Sequence, residues 1–517
     1  MTWNTKLMAG AAAVAFAAPG LARADEATEA RIQALEAQLR LLQAELADLK
    51  ASTAKQAEAP RPTPSQKVEI ARSEPPVANV SISNGRPTIS SSDGAFTASI
   101  RGVFQLDMAY YEQDPAGPLA TDFRRGSYGD AGENDHARDL SDGADFRRAR
   151  IGIEGKAFGA FDYHFLYDFG GSGTEEEGRI SAAWAQYNFP TTYNLKLRIG
   201  AFSPPGGLEE AVSTNGSLFA ERASPSETVR AIAGGDGRTA VGLFANGERW
   251  TASAALTGNV IGVSTFDEQT AFVGRASIVP FQTSDALLHL GVNTTVVFDP
   301  AASGPEVDGA ATTNIRLRDR PEMRVDGTRL VDTGNIDADG LVAWGAELGA
   351  LWRDFYLQSE YFDIRIDRKG GLRDPDFSGW YAQVGWVLTG ESRRYSTGNA
   401  TFDAPRPAKP FDPAKDQWGT WELGLRYSRL DLDFLAGAPG SAPDPSAIRG
   451  GEQEIFTLGL NWYLNSVLRF QAAYQDVSVD RLSPGGTAFG TGAATPPAGA
   501  QVGQDFQIYS FRTQYAF

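Results

Sequence analysis

The sequence contains no cysteine, and methionine and histidine are almost as rare. Its 517 residues include 4 Met and 3 His. The absence of cysteine excludes a disulfide framework and a thiolate metal site. The three histidines, His136, His164 and His289, lie far apart and belong to no H-E-x-x-H motif. The sequence therefore predicts no metal site and no cofactor.

Linear catalytic motifs are missing as well. Neither a G-x-S-x-G nucleophile elbow nor a Walker phosphate-binding loop occurs. A Ser–His pair that forms only in space would leave no such signature, so an enzyme remains a second hypothesis. Our prediction is that the chain is not an enzyme and has no catalytic residue.

Long apolar runs are confined to the N-terminus. Lys6 precedes an apolar run from Leu7 to Ala18, which is too short to span a bilayer. Pro19 and Gly20 end the run, and the residues up to Ala24 form a small-x-small cleavage pattern. This arrangement predicts a signal peptide over residues 1–24, cleaved after Ala24. No later stretch approaches the roughly 18 apolar residues of a transmembrane helix.

Positive charge is in deficit. The chain has 47 Lys and Arg against 64 Asp and Glu, a net charge of −17. An acidic excess of this size argues against nucleic acid as a partner. The chain is thus predicted to be exported without a helical anchor, either as a soluble protein or as a membrane barrel.

A heptad pattern follows the signal peptide. Its apolar positions are spaced 3, 4, 3, 4 and 3 residues apart: Ile32, Leu35, Leu39, Leu42, Leu46 and Leu49. This period of 3.5 predicts a coiled coil over residues 25–50, whereas a lone amphipathic helix would carry a wider apolar stripe. Residues 51–93 are rich in proline and predict a linker.

From residue 94 the hydrophobic period changes to two. In the last strand Tyr509, Phe511 and Tyr515 share one face, and Arg512 and Gln514 share the other. A soluble sandwich also alternates, but these polar faces carry charges along their middles, as a water-filled lumen requires. We predict an all-β, antiparallel, sixteen-stranded transmembrane barrel over 94–517. The predicted strands are 94–111, 145–156, 160–169, 179–189, 193–201, 239–246, 249–257, 270–279, 286–298, 341–352, 354–364, 377–389, 419–432, 454–464, 467–479 and 505–517.

The predicted connections alternate between long and short. Residues 112–144, 202–238 and 299–340 are long, whereas 157–159 and 465–466 are tight turns. Long external loops and short periplasmic turns characterise outer-membrane barrels. Residues 390–418 break the alternation, because they fall at a periplasmic position and yet are long. The strand count is therefore least secure at that point.

Basic residues recur in two predicted strands and in the long 202–238 segment. They are Arg147, Arg148 and Arg150 in the second strand, Lys196 and Arg198 in the fifth, and Arg222, Arg230 and Arg238 in the 202–238 segment. An arginine facing lipid near mid-bilayer costs about 2–4 kcal/mol, so these side chains should face inward or lie at a rim. Cations inside a narrow pore attract anions. Arg148, Arg150, Lys196, Arg198, Arg222, Arg230 and Arg238 are the predicted pore-lining, anion-binding residues.

Several blocks resemble the phosphate-selective porin O/P family of outer-membrane porins. These are FRRARIGIEGKAFGAFDYHFLYDFG (146–170), KLRIGAFSPPGGLEE (196–210), GWYAQVGWVLTGESRRYS (379–396) and GGEQEIFTLGLNWYLNSVLRFQAAY (450–474). The resemblance implies a trimeric channel with a basic lumen that passes anions such as phosphate, and 202–238 as an inward-folded constriction loop. Ser203 stands where the family usually has lysine, which removes one cation from the constriction.

Two functional hypotheses follow. The first is a homotrimeric porin in the outer membrane of a Gram-negative bacterium, with the lipid bilayer as partner and small anions as solutes. The second is a structural protein that tethers the outer membrane to the cell wall through its coiled coil. Three heptads span only about 30–40 Å at 1.5 Å per residue, which is short for a tether. The sequence therefore favours the porin.

Overall fold

The computed structural model describes Ala44 and residues 78–114, 140–170, 178–262, 266–304, 312–485 and 497–517. The predicted signal peptide lies outside these residues. So does the predicted coiled coil, of which only Ala44 is described, and both remain predictions.

Sixteen long strands dominate the described residues. They are β3 (Thr97–Glu112), β4 (Gly143–Ala157), β5 (Phe161–Asp168), β6 (Arg179–Asn188), β7 (Lys196–Ala201), β8 (Arg238–Asn246), β9 (Trp250–Val260), β10 (Thr270–Gln282), β11 (Ala286–Asp299), β15 (Ile336–Trp352), β16 (Phe355–Arg368), β17 (Asp376–Val387), β20 (Thr420–Phe434), β21 (Ile448–Tyr463), β22 (Leu468–Asp480) and β23 (Asp505–Ala516). Each pairs antiparallel with the next along the chain.

The sheet closes on itself between its last and first long strands. β23 pairs antiparallel with β3, with Arg512 opposite Asp107 and Phe511 opposite Met108. Closure pairs the two edge strands with each other from Val103 onward, and such a closed sheet can cross a membrane. The predicted sixteen-stranded antiparallel barrel is confirmed.

The two faces of the barrel wall have opposite chemistry. Large apolar side chains such as Trp344 and Val384 are exposed on the outside, whereas Gln358 and Arg426 are buried inside. This inverted distribution is expected when lipid is outside and polar groups fill the lumen.

Connections at one rim, here called the turn rim, are short, with one exception. The short ones are 158–160, 189–195, 247–249, 283–285, 353–354 and 464–467, and the exception is 388–419. The predicted break in alternation is therefore a real long connection rather than a missing strand. It contains the hairpin β18 (Arg394–Ser396) and β19 (Thr401–Asp403) and a 3₁₀ turn, Pro413–Lys415. We call residues 388–419 the turn-rim segment.

A small hairpin precedes the barrel, within the stretch predicted to be linker. β1 (Asn79–Ser83) pairs with β2 (Arg86–Ser90), and β2 pairs with the start of β3. β23 reaches β3 only from Val103 onward, so the hairpin covers part of the edge that would otherwise be open there.

Connections at the opposite rim, the loop rim, fold inward and form an apolar core. The 202–237 connection contributes α1 (Leu208–Ala211) and α2 (Ser224–Ala233), and the 300–335 connection contributes β12 (Asn314–Ile315), β13 (Arg318–Asp319) and β14 (Val331–Asp332). Buried Val229 and Met323 from these connections belong to one cluster with Phe362 and Leu430 of the wall. No helix among the described residues is long and apolar enough to cross a membrane.

Candidate functional site: the channel lumen

The 202–237 connection, which we call the inward segment, crosses the lumen. β7 is only six residues long, so the chain leaves the wall early. Glu360 on the opposite wall accepts hydrogen bonds from the backbone N–H groups of Leu208 (2.6 Å) and Glu209 (2.9 Å). These N–H groups lie at the start of a helical turn, where they have no partner within the helix. The Glu360 carboxylate therefore anchors α1.

Side chains of the wall also hold the middle of the inward segment. The Leu218 carbonyl accepts from Asn461 (3.0 Å) and Arg469 (3.2 Å), and the Glu221 carbonyl accepts from Arg426 (3.0 Å). An irregular segment inside a barrel needs such donors, because its buried carbonyl groups have no strand partner.

Two lumen-facing glycines form a seat for the tip of this segment. Gly424 and Gly459 are direct partners across β20 and β21. A Cβ atom at Gly424 would lie 3.0 Å from Leu218, and one at Gly459 would lie 2.9 Å from Phe219. The wall is thus hollowed where the two apolar side chains meet it.

Filling that hollow should displace the inward segment. We expect Gly459→Leu to cost about 1–3 kcal/mol through overpacking and to raise single-channel conductance by moving Phe219. Conductance in planar bilayers and the urea midpoint of the folded protein are the measurements. Ala472→Leu, on the outer face of the neighbouring strand, is the control and should change neither. Unchanged conductance in a folded Gly459→Leu barrel would show that the glycines do not position the inward segment.

Four arginines and four carboxylates form an ion-pair cluster that joins the inward segment to the wall and to the 300–335 connection. Arg150 pairs with Asp168 (2.6 Å) and Asp236 (2.5 Å). Arg230 pairs with Glu210 (2.5 Å), Glu227 (3.2 Å) and Asp236 (2.9 Å). The remaining pairs are Arg222 with Glu210 and Glu227, and Arg324 with Glu227. Equal numbers of the two signs leave the cluster close to neutral.

Two acids of the cluster, Glu227 and Asp236, are held ionised. Burial would raise the pKa of Glu227, but the surrounding arginines, above all Arg230 and Arg324, lower it to about 2. Burial likewise opposes ionisation of Asp236, and Arg150 and Arg230 hold its pKa well below the ordinary value. Glu209 lies outside the cluster, and burial raises its pKa to about 7.

A cavity of about 680 Å³ extends from the turn-rim ends of β3–β9 to this cluster. Its lining contains eight cations and four carboxylates. The cations are Arg86, Arg101, Arg150, Lys156, Lys196, Arg198, Arg222 and Arg275, and the carboxylates are Glu154, Asp162, Glu210 and Asp236. The cavity surface is therefore cationic although the whole chain is acidic.

Five of the eight lining cations pair with carboxylates. Arg86 and Arg101 both pair with Glu154, and Arg275 pairs with Glu347 (2.9 Å). Lys156, Lys196 and Arg198 form no ion pair in the part of the chain that the structure describes. These three side chains carry the free positive charge of the cavity, and Asp162 is the one lining acid without a cationic partner there.

The structure separates the seven predicted site residues into two groups. Arg150, Lys196, Arg198 and Arg222 line the cavity. The other three lie elsewhere. Arg148 is buried, donates to Gln105 (2.8 Å) and lies 3.8 Å from Glu221. Arg230 is in the ion-pair cluster. Arg238 donates to the carbonyl groups of Gly234 (2.8 Å) and Gly258 (2.9 Å) and so ties the end of the inward segment to the wall.

Sequence reasoning missed the aromatic side chains that line the same cavity. Trp184, Phe202 and Phe244 all face it. The signal was available in part, because Trp184 shares a strand face with polar Gln186 rather than with apolar residues. His164, whose lumen-facing position the alternation predicts, also lines the cavity, with Nδ1 3.0 Å from Glu154. No cluster of His, Cys, Asp and Glu suited to a metal ion occurs among the residues described.

A closed barrel with an inward-folded segment and a water-accessible, charged lumen defines the porin class of channel. The family model described as "Phosphate-selective porin O and P" matches residues 117–517. The chain belongs to this family and is a channel of the Gram-negative outer membrane. This membership indicates a channel rather than an enzyme, and nothing here supports the tether hypothesis.

The individual relatives have low sequence identity to this chain. Porin O of Pseudomonas aeruginosa is 27% identical over 66% of this chain and 78% of its own length. An uncharacterised protein of Caulobacter vibrioides is 24% identical over 82% of this chain and 77% of its own. The structure of an anion-selective porin from Comamonas acidovorans covers 82% of this chain and 100% of that chain, with 13% identity and a TM-score of 0.44.

Proposed function

We propose that the channel passes small hydrophilic solutes by diffusion and prefers anions. One observation carries this proposal: Lys156, Lys196 and Arg198 face the cavity without ion-pair partners in the described residues. Fixed cations in a narrow passage raise the local anion concentration and lower the cation concentration. The net charge of −17 does not oppose this, because screening limits surface charges to about 8–10 Å.

We propose general anion preference rather than tight phosphate binding, even though the family description names phosphate. Ser203, at the position where the family usually has lysine, donates to Glu210 and accepts from the Gly235 N–H group (3.1 Å). A lysine there would add a cation to the ion-pair cluster. With serine, the cluster stays close to neutral and offers phosphate no concentrated charge.

The proposed working unit is a homotrimer. The support is the heptad pattern of residues 25–50 together with the family resemblance. Cross-linking of the protein in outer-membrane fragments tests it, and a single monomer band under conditions that cross-link a known trimeric porin would contradict it.

The reversal potential across a planar bilayer tests the anion preference. Under a KCl gradient we expect an anion-selective wild type. The double variant Lys196→Gln/Arg198→Gln should reduce the chloride-to-potassium permeability ratio severalfold, because it removes two of the three free cations. Arg373→Gln is the matched control, since Arg373 is exposed and paired with Asp444 (2.8 Å) outside the cavity.

Two outcomes would overturn the proposal: a cation-selective wild type, or a double variant indistinguishable from Arg373→Gln. A further test measures how strongly added phosphate blocks the chloride current. We expect weak block, and submicromolar block would show that Ser203 does not limit phosphate binding.

A further inference from the structure

A row of flat groups lies along one side of the cavity, on neighbouring strands β5–β8 and at Phe202, the first residue of the inward segment. The His164 ring stacks on Trp184, with centroids 5.4 Å apart and 16° between the planes. The Arg198 guanidinium lies 4.1 Å from the Trp184 ring centroid and 4.8 Å from that of Phe244. Phe202 approaches it at 5.3 Å. We call these five side chains the flat-group row.

Hydrogen bonds fix the orientation of the guanidinium within this row. Nε (3.1 Å) and Nη2 (2.8 Å) of Arg198 both donate to the Gln186 side-chain oxygen. Nη1 has no hydrogen-bond partner among the described residues, and the side chain lines the cavity. Aromatic contacts and Gln186 therefore hold Arg198 in place, and one amino group remains available to a solute.

The wall is shaped to admit the aromatic side chains. Gly242 is the direct partner of Arg198 across β7 and β8. A Cβ atom at Gly242 would lie 3.2 Å from Phe202 and 3.0 Å from Phe244. A larger residue would push these rings away from the guanidinium. The glycine thus makes room for the row.

We infer that the flat-group row is a binding site for small organic anions that carry a carboxylate on a flat ring. Arg198 Nη1 would donate to the carboxylate, and Lys196 lies on the same strand face about 7 Å away at the strand repeat. The aromatic groups would contact the ring, an interaction that inorganic phosphate cannot make. A volume of about 680 Å³ falls within the roughly 300–1,000 Å³ of small-molecule sites.

One acid faces the same site and limits its affinity. Asp162 accepts from Gln186 (3.1 Å) and Asn188 (2.8 Å), so Gln186 stands between this carboxylate and Arg198. Glu154 is nearby but is occupied by His164, Arg86 and Arg101. Asp162 therefore repels an incoming anion without pairing with Arg198. Binding is expected to be transient, as a conducting channel requires.

The inference rests on the proposed anion preference, and block of the chloride current separates the two. Benzoate and acetate carry the same charge, and only benzoate has a ring. In wild-type channels we expect half-block by benzoate at a concentration about threefold to tenfold lower than by acetate, which is the range an aromatic pair supplies. Equal half-block concentrations of benzoate and acetate in an anion-selective channel would overturn the binding site but not the anion preference. A cation-selective channel would overturn both the binding site and the anion preference.

Three variants locate the site. Trp184→Ala and Phe244→Leu should each bring the half-block concentrations of benzoate and acetate closer together, because each removes an aromatic contact with the ring of benzoate. Asp162→Asn should strengthen block by both anions. Trp380→Ala, on the outer face, is the control. If Trp184→Ala does not assemble, Phe244→Leu decides the outcome alone. If the benzoate-to-acetate ratio is unaltered in row variants that assemble, benzoate blocks the channel at another site and the inference is wrong.

Discussion

Replacing Glu221 with alanine should lower the free energy of unfolding by about 3–5 kcal/mol, the cost of breaking a buried ion pair. Glu221 lies in the inward segment and is 7% exposed. Its carboxylate contacts Arg147 Nε (2.8 Å) and Arg512 Nη2 (2.9 Å). Arg324 (3.5 Å) and Arg148 (3.8 Å) are also close. One carboxylate therefore contacts four guanidinium groups, of which Arg324 also pairs with Glu227 and Arg512 with Asp107.

The same substitution should make the channel more anion-selective. Burial would raise the pKa of Glu221, but the surrounding arginines, led by Arg147 and Arg148, hold it well below the ordinary value, so the group is ionised at neutral pH. Removing it leaves an excess of positive charge at the centre of the lumen. Stability and selectivity thus move in opposite directions from one change.

The urea midpoint of the folded barrel and the reversal potential are the two measurements. Glu452→Ala is the control, because the Arg429–Glu452 pair (2.7 Å) is half-exposed, and exposed pairs contribute about 0–1 kcal/mol. Glu221→Gln keeps the shape and removes the charge, and it should resemble Glu221→Ala. Equal stability losses for Glu221→Ala and Glu452→Ala would show that the arginines find other partners.

The barrel was predictable because its pattern is local. Successive side chains of a barrel strand point alternately to lipid and to the lumen. Each strand therefore shows a hydrophobic period of two that can be read without knowing its neighbours. The predicted start of one strand is too late. Pairing with another strand extends it through residues whose composition is typical of a turn. β15 begins at Ile336, within an Asp- and Gly-rich stretch, and Asp337 pairs with Asn314 of β12. No local pattern shows that partner.

The apolar core of the loop-rim half was not predicted, although the sequence contains a signal for it. Along β16, Gln358 and Glu360 face inward, but the next inward positions, Phe362 and Ile364, are apolar. The outward positions change in the opposite sense, from Tyr361 to Asp363. Such a reversal marks the level at which water replaces lipid outside and folded connections replace water inside.

The charge balance of the site could be predicted only where the partners are close in sequence, as for Arg222 and Arg230 with the acids of the same segment. Other lumen arginines have partners on distant parts of the chain. Arg512 pairs with Asp107 and with Glu221, from which it is separated by 405 and 291 residues. Arg230 has three carboxylate partners, whereas Lys196 and Arg198 form no ion pair within the described residues. Only the folded chain shows this distinction.

The turn-rim segment also narrows the lumen, and its anchors lie on several strands. Arg393 pairs with Glu422 (2.6 Å) and donates to the Gly216 carbonyl of the inward segment (2.8 Å). Thr251 on β9 donates to the Thr397 carbonyl (2.8 Å). The segment therefore reaches from its own strands, β17 and β20, to the far wall.

An aromatic contact joins the turn-rim segment to the inward segment. Phe402 is fully buried and shares a cluster with Leu208 of α1. Its ring lies 5.1 Å from that of Tyr356 and 5.0 Å from that of Tyr395. The Tyr395 hydroxyl in turn lies 2.8 Å from His289 Nδ1. Two obstructions that enter from opposite rims thus support each other.

Replacing residues 390–419 with Asn-Gly should raise single-channel conductance severalfold while the barrel remains closed. Leu388 already donates to the Trp421 carbonyl (2.8 Å), so a two-residue turn between Thr389 and Thr420 continues the ladder. Arg275 keeps Glu347 as its partner when the segment is removed. Glu422 loses Arg393 but gains access to water in the widened lumen.

Conductance in planar bilayers, measured beside heat-modifiable gel migration, tests this expectation. Lys415→Ala is the matched control, because it removes an exposed ion pair with Asp412 (2.6 Å) from the same segment and should leave conductance unchanged. Phe402→Ala should give an intermediate conductance, since it keeps the segment and removes its main apolar contact. A folded deletion variant with wild-type conductance would mean that the inward segment alone limits the passage, and that the contact at Phe402 is needed only for packing.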